Sequence, residues 1–195
     1  MAALYWPNQA QGGLPFSILL ILFGVLIISI SAQIQIPFYP VPVTMQTFAV
    51  LVMSMAFGRW LGAMTASVYL VAAILGLPVL AGSSETSANF ALLTSPTSGF
   101  LVGFIVAAWT VGWLGELGWG KSFRWTLCAM VFGTCIILIL GMLWLTFTYS
   151  WSEEQVLKTL MRLAPGAVLK ILMASILMPL LWRKGQTLSR RRNAR

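Results

Sequence analysis

Few side chains in this chain could do chemistry, and their types narrow what that chemistry can be. There is no histidine, so the commonest general base and metal ligand is missing. The carboxylates are Glu85, Glu116, Glu153 and Glu154. The adjacent pair at 153 and 154 would point to different faces of a helix and reads as a solvated patch rather than an acid/base pair. No cysteine–histidine cluster could hold zinc, and no glycine-rich loop ends in Gly-Lys-Ser or Gly-Lys-Thr to cradle nucleotide phosphates. Catalysis and ATP hydrolysis are therefore not expected, and no cofactor is implied.

The residue that stands out is Lys170, placed one to two turns inside an apolar run. A cation in such a run is costly and marks a functional site by default. Its amine could hold a carboxylate through a charge-assisted hydrogen bond, or it could snorkel to nearby headgroups. Thr44, Gln46 and Thr47 open another apolar run with no charged neighbour. They suit a polar, uncharged ligand group. They equally suit helix capping by Thr44 and helix–helix hydrogen bonding by Gln46. Asn89 and its polar neighbours pose the same choice between ligand contact and ordinary loop polarity.

The elements that must position these residues are membrane helices. Of 195 residues, 59% are hydrophobic and only 8% charged, with mean hydropathy +0.89. Too few charges remain to cover a water-facing surface. Unbroken apolar runs such as 18–30 and 129–145 favour helices over the alternating strands of a membrane barrel. Spans are expected at about 14–31, 44–57, 60–75, 99–117, 125–147 and 164–182. Loops then fall at 32–43, 76–98 and 148–163, the last holding Glu153, Glu154, Lys158 and Arg162. The expectation is an all-α integral membrane bundle of six transmembrane helices. It forms a single domain over 1–195, with the bundle at 14–182 and a basic cytoplasmic tail at 183–195.

The net charge of +8 does not point to nucleic acid, because six of the twelve basic residues crowd into 183–195. A basic juxtamembrane tail is a topology signal that meets anionic lipid. With six spans, Arg59, Lys121, Arg124 and the tail's six lie on one side, and Lys158 and Arg162 on the other. Both termini are then cytoplasmic in a multi-pass protein of the cell membrane. The first basic residue is Arg59, so no secretory signal is expected before it. The longer outer loops read as walls and lid of an outward-facing site. The second span is short, and the proline-rich 33–44 segment before it is expected to dip into the outer half of the bundle. Cys128 and Cys135 fall on one helix face, too far apart for a disulfide, and read as small packing residues. Gly99, Gly103 and Ala107 recur every four residues, which lets a neighbouring helix approach closely. Trp144, deeper than the other tryptophans, is expected to pack or line the cavity.

Four blocks, in order, carry a resemblance. The stretch Ile36-Pro-Phe-Tyr-Pro-Val-Pro-Val-Thr-Met-Gln-Thr-Phe48 resembles the first outer loop and second helix of the BioY biotin transporter family. Gly76-Leu-Pro-Val-Leu-Ala-Gly82 is similar to the start of that family's third loop, and Ser95-Pro-Thr-Ser-Gly-Phe-Leu-Val-Gly-Phe104 to the start of its fourth helix. Pro165-Gly166 followed by Lys170 resembles its sixth-helix signature. The likeness covers about 14–182.

The resemblance implies a substrate-capture (S) component of an energy-coupling factor (ECF) importer, with biotin as the transported substrate. Its implied partners are a coupling transmembrane protein and two cytoplasmic ATPases, in a lipid membrane, with solitary and homo-oligomeric forms both open. Carried over by position, Thr44 and Gln46 belong to lid and pocket, Asn89 reaches biotin's rings, and Lys170 serves the polar end of the pocket. Phe38, Tyr39 and Phe90 would supply apolar wall. The sequence departs from the family pattern at Ala167, where an Asp three residues before the Lys is usual. It departs again at Ser83-Ser-Glu-Thr-Ser-Ala88, where the family is glycine-rich. On helix one, Gly24 is followed four residues on by Ile28, a weak version of the small-residue motif used for docking the coupling protein. Two other readings remain: an S component for a different small carboxylate-bearing vitamin, motivated by Ala167, and a structural or assembly membrane protein with no small ligand.

Overall fold

The computed structural model describes residues 13–37, 41–81, 92 and 94–193, with side chains described as far as 187. Among these, six α-helices follow one another: α1 Leu14–Gln33, α2 Gln46–Phe57, α3 Arg59–Ile74, α4 Ser98–Glu116, α5 Phe123–Tyr149 and α6 Glu153–Asn193. A two-stranded antiparallel ribbon, β1 Gln35–Ile36 and β2 Val43–Thr44, joins α1 to α2, pairing Gln35 with Thr44 and Ile36 with Val43. A single 3-10 turn, Trp119–Lys121, joins α4 to α5. Phe38, Tyr39, Asn89 and Phe90, expected at the site, lie outside the described residues.

Helices α1, α4, α5 and α6 are long and apolar enough to cross a bilayer, while α2 and α3 are shorter. The outer surface is apolar as well, with Phe23, Leu26, Ile30, Phe132, Ile139, Leu172 and Ile176 all exposed. In water that surface would be costly; in lipid it is the solvated state. On α1 only Leu20, Gly24, Ile28 and Ala32 are buried, a single stripe of period four facing the bundle. Gly24 thus faces inward, where an added Cβ would stand 2.6 Å from Met53 Sδ.

The central element is α4, buried along most of its length. One face carries Gly99, Gly103 and Ala107 against α5. A Cβ at Gly103 would stand 3.0 Å from Ile137 Cα, and one at Gly99 would run into Trp144. The expected small-residue face therefore serves packing within the bundle. Another face carries Gly112 and Gly115 against the α2–α3 turn. That turn is made by Gly58 alone, at φ +91° and ψ 173°, a conformation that is essentially glycine's. Arg59 closes the corner, its amide donating to Glu116 Oε1 at 2.9 Å and its Nε lying 3.3 Å from Oε2. α3 ends as its sequence indicates. Gly76 at φ +92° donates to Ala73 and Leu77 to Ala72, which together form a Schellman motif.

Three expectations are corrected. The stretch from Glu153 to Leu163, expected as a loop, is helical, and so is the tail through Asn193. The cause is a capping box: Ser152's amide donates to Gln155 Oε1 at 2.9 Å while Gln155's amide reaches back to Ser152 Oγ at 3.4 Å. Glu153 and Glu154 add favourable charge to the first turn. At 41 residues, α6 is about 62 Å long and carries Pro165 and Pro179 within it. The third correction concerns Cys128 and Cys135, which are exposed and free rather than packed inside.

Because Gly112 has no room to give, we expect Gly112→Ala to destabilise the protein by about 1–3 kcal/mol. Its Cβ would lie 2.6 Å from the backbone of Gly58 and Arg59. Thermal unfolding in detergent checks this, with Val106→Ala on the exposed face of α4 leaving the midpoint nearly unchanged.

Candidate functional site

The two ends of the bundle differ. One, the basic end, gathers Arg59, Glu116 and Lys121, whose Nζ lies 5.2 Å from the centre of the Trp182 ring. At the other, the ribbon, the 77–81 turn and residues 94–97 come together. Gln33 Nε2 donates to Leu80 O at 3.2 Å. Trp144 Nε1 donates to Ser95 O at 3.0 Å, and the Tyr149 hydroxyl to Thr94 O at 2.6 Å. Trp144 therefore packs and holds the α4 approach, and is not among the cavity-lining residues.

At the ribbon end α2 begins late. Its 12 residues reach about 18 Å, against a hydrocarbon core of about 30 Å. The ribbon and the residues beside it occupy the remaining depth, with Val41 and Thr44 buried at 8% exposure each. The described part of the proline-rich segment, around residues 41–44, thus dips inward. Backbone at that depth needs partners, and it has them. Met45's amide donates to Ile34 O at 3.0 Å. Lys170 Nζ reaches across from α6 and donates to Thr44 O at 2.9 Å and to Thr47 Oγ1 at 2.8 Å.

Behind this strap runs a chain of polar side chains. Thr44 Oγ1 donates to Gln46 Oε1 at 2.9 Å, Gln46 Nε2 donates to the Tyr69 hydroxyl at 2.5 Å, and that hydroxyl donates to Val79 O at 2.9 Å. Thr44 thus turns its hydroxyl mainly to Gln46 rather than acting as a helix cap; Gln46's own amide approaches it at 3.3 Å. Tyr69 is buried at 1% exposure and fixes Gln46 against the 77–81 turn.

These groups line a cavity of about 310 Å³, within the range of small-molecule sites. Thr44, Gln46, Thr47 and Lys170 face it, and so does Ala167, one turn before Lys170. Phe100 and Phe104 of α4 supply its aromatic wall. A second, much smaller cavity of about 10 Å³ lies behind, bordered by Thr47, Thr134, Ala167 and Lys170. Among the described residues the ion pairs are Arg59–Glu116 and Lys158–Glu154, so Lys170 has no carboxylate beside it. An ammonium has three donors, and two are used by Thr44 and Thr47.

The sequence singled out Thr44, Gln46 and Lys170, and the structure brings all three together. It missed Tyr69, Thr134, Phe100 and Phe104. Tyr69 falls in an apolar helix where a tyrosine needs no special reason. The two phenylalanines lie one residue after Gly99 and Gly103 respectively and four residues apart, the i, i+4 spacing that one side of a helix shows.

Fold and site together define a six-helix membrane protein with a ligand-sized cavity at one end and, among the described residues, one cation, Lys170, in its wall. The family model described as the BioY family matches residues 9–187, and the chain belongs to that family. The biotin transporter BioY of Rhizobium etli is 31% identical over 169 residues, covering 82% of this chain and 89% of that one. The biotin transporter BioY of Thermotoga maritima is 36% identical over 121 residues, covering 62% and 69%. In three dimensions the chain is similar to the crystal structure of the S-component for biotin from an ECF-type ABC transporter. The TM-score is 0.73 and the identity 23%, over 90% of this chain and 93% of that one, a likeness of fold.

Removing the Tyr69 hydroxyl leaves Gln46 Nε2 and Val79 O without a partner. We expect Tyr69→Phe to lose about 1–3 kcal/mol. Hydrogen exchange checks where the loss falls: the Met45 amide should exchange faster while amides in the middle of α4 do not change.

Proposed function

We propose that the protein captures biotin at the ribbon end of its bundle, as the S component of an ECF-type importer. The observation that carries this is the 310 Å³ cavity with Lys170 in its wall and, among the described residues, no carboxylate beside it. Biotin is a carboxylate with a ureido group and an apolar ring and chain. A small cavity with one cation, a few fixed amide and hydroxyl groups and the rings of Phe100 and Phe104 suits each part. Membership of the BioY family, with relatives named as biotin transporters, supports the same ligand. Thr44, Gln46 and Lys170 are the site residues this reading uses. Phe38 and Tyr39, from the first matching block, and Asn89 and Phe90, by their position in the third loop, complete it.

The partners follow from the same reading: a coupling transmembrane protein and two cytoplasmic ATPases, since this chain has no nucleotide motif of its own. Orientation follows from charge. Arg59, Lys121, Arg124, Arg183 and Lys184 belong to the basic end, which the bias of lysine and arginine places in the cytoplasm. The ribbon end then faces outward, where the vitamin arrives.

Calorimetry on the purified protein in detergent, without ATP or partners, tests the reading. One-to-one biotin binding is expected. Lys170→Ala should weaken it about 10- to 100-fold, the worth of a charge-assisted hydrogen bond. Folded wild-type protein that binds no biotin would overturn the proposal. Ala167, which brings no hydrogen-bonding group to the cavity wall, motivates a second reading in which the ligand is another small carboxylate-bearing vitamin. Displacement of biotin by such a vitamin at lower concentration would favour it.

A further inference from the structure

Among the described residues, seven polar side chains line the main cavity: Thr44, Gln46, Thr47, Ser95, Thr97, Thr134 and Lys170. Six of them are engaged. Thr44 bonds Gln46, Gln46 bonds Tyr69, Lys170 bonds Thr47, and Ser95 pairs with Thr97. Thr134 is the exception, without a hydrogen-bond partner among the described residues. It is buried at 9% exposure, in the middle of α5, at membrane depth. A helical hydroxyl at such depth commonly returns its proton to the carbonyl four residues back. Ser54, Thr65, Thr126 and Ser175 all do so; Thr134 does not use Met130 in this way. Thr134 lines both the main cavity and the small one behind Lys170, so its hydroxyl is open to a ligand there.

The chemistry of the wall around it says what such a group supplies. Lys170 has only donors to give, and Ala167 has neither donor nor acceptor. Thr47 accepts from Lys170, and Gln46 is held between Thr44 and Tyr69, so both are oriented by protein partners. A cyclic urea brings two N–H donors as well as a carbonyl. The donors need an acceptor, and among the described polar side chains of the wall the Thr134 hydroxyl is the one without a partner. We infer that Thr134 is a specificity-determining residue of the site, its Oγ1 accepting a ureido N–H of the bound vitamin. This rests on the biotin reading above.

The test uses the full-length protein in detergent and calorimetry with biotin and with biotin methylated on its ureido nitrogens. Thr134→Val keeps the shape and removes the hydroxyl, and should bind biotin about tenfold more weakly. Thr134→Ser keeps the hydroxyl and should stay within about threefold of wild type. With the N-methylated analogue the wild type and Thr134→Val should bind alike. Wild-type affinity for biotin in Thr134→Val overturns the assignment while leaving the biotin reading intact. A loss in Thr134→Val that is just as large with the N-methylated analogue also overturns it. No biotin binding by the wild type overturns the biotin reading and this inference together. Thermal unfolding of both variants separates a lost contact from a lost fold, and restored affinity in Thr134→Ser is the readout a purely structural role would not give.

Discussion

The donation from Lys170 to the carbonyl of Thr44 is the contact on which the ligand end of this molecule depends. It follows from a shortage of helix. α2 is too short to cross the membrane, so non-helical backbone must make up the depth, and such backbone survives there only if its polar groups are met. The ribbon pairs with itself through Gln35 and Thr44, Ile36 and Val43. The Thr44 carbonyl is met by a cation from the far side of the bundle. One side chain thereby satisfies the irregular backbone, joins α6 to α2, and leaves a donor toward the cavity. Structure and ligand chemistry are coupled through a single amine.

The opposite end is built on another principle. There the helices meet by backbone contact: Gly112 and Gly115 admit the Gly58 corner and Met55 so closely that no side chain fits between. Arg59 and Glu116 close that corner. Interfaces made of small residues are rigid because their contacts are numerous and short. The ribbon end is held instead by a few hydrogen bonds, among them those of Lys170, Tyr69, Trp144 and Tyr149. In the proposed function a ligand would enter at the ribbon end, the less tightly packed of the two.

Much of this was legible in the sequence, for physical reasons that differ by residue. The spans stood out because lipid demands long apolar runs. Lys170 stood out because a charge within such a run is rare. Thr44 and Gln46 stood out because they are polar residues opening an apolar run with no charged neighbour. The start of α6 was not legible from hydropathy, since the turns before Pro165 are polar. The Ser152–Gln155 capping box was the signal there, and it is a signal of local hydrogen bonding rather than of apolarity. The helix runs through Pro165. Tyr69 and Thr134 were illegible for a deeper reason. Tyrosine and threonine are unremarked in apolar helices, and only their partners, or the lack of one, set these two apart.

The inner face of α6 shows how the cavity's volume is made. Leu163, Ala167 and Lys170 line it, with Gly166 beside them. These positions recur at the three- and four-residue spacing of one helix face. Gly166 is small because Val43 of the ribbon lies against it, 2.8 Å from where a Cβ would be. That contact lets the ribbon sit low enough for Lys170 to reach Thr44. Ala167 is small on the cavity side, one turn from the amine. A side chain with a carboxylate there would stand beside Lys170 as a counter-charge and take up part of the cavity. With alanine, the cation keeps no protein carboxylate among the described residues, and the space stays open. The neutralising anion and the missing volume are then both left for the ligand to supply, which is why a small carboxylate suits this wall better than a neutral molecule of equal size.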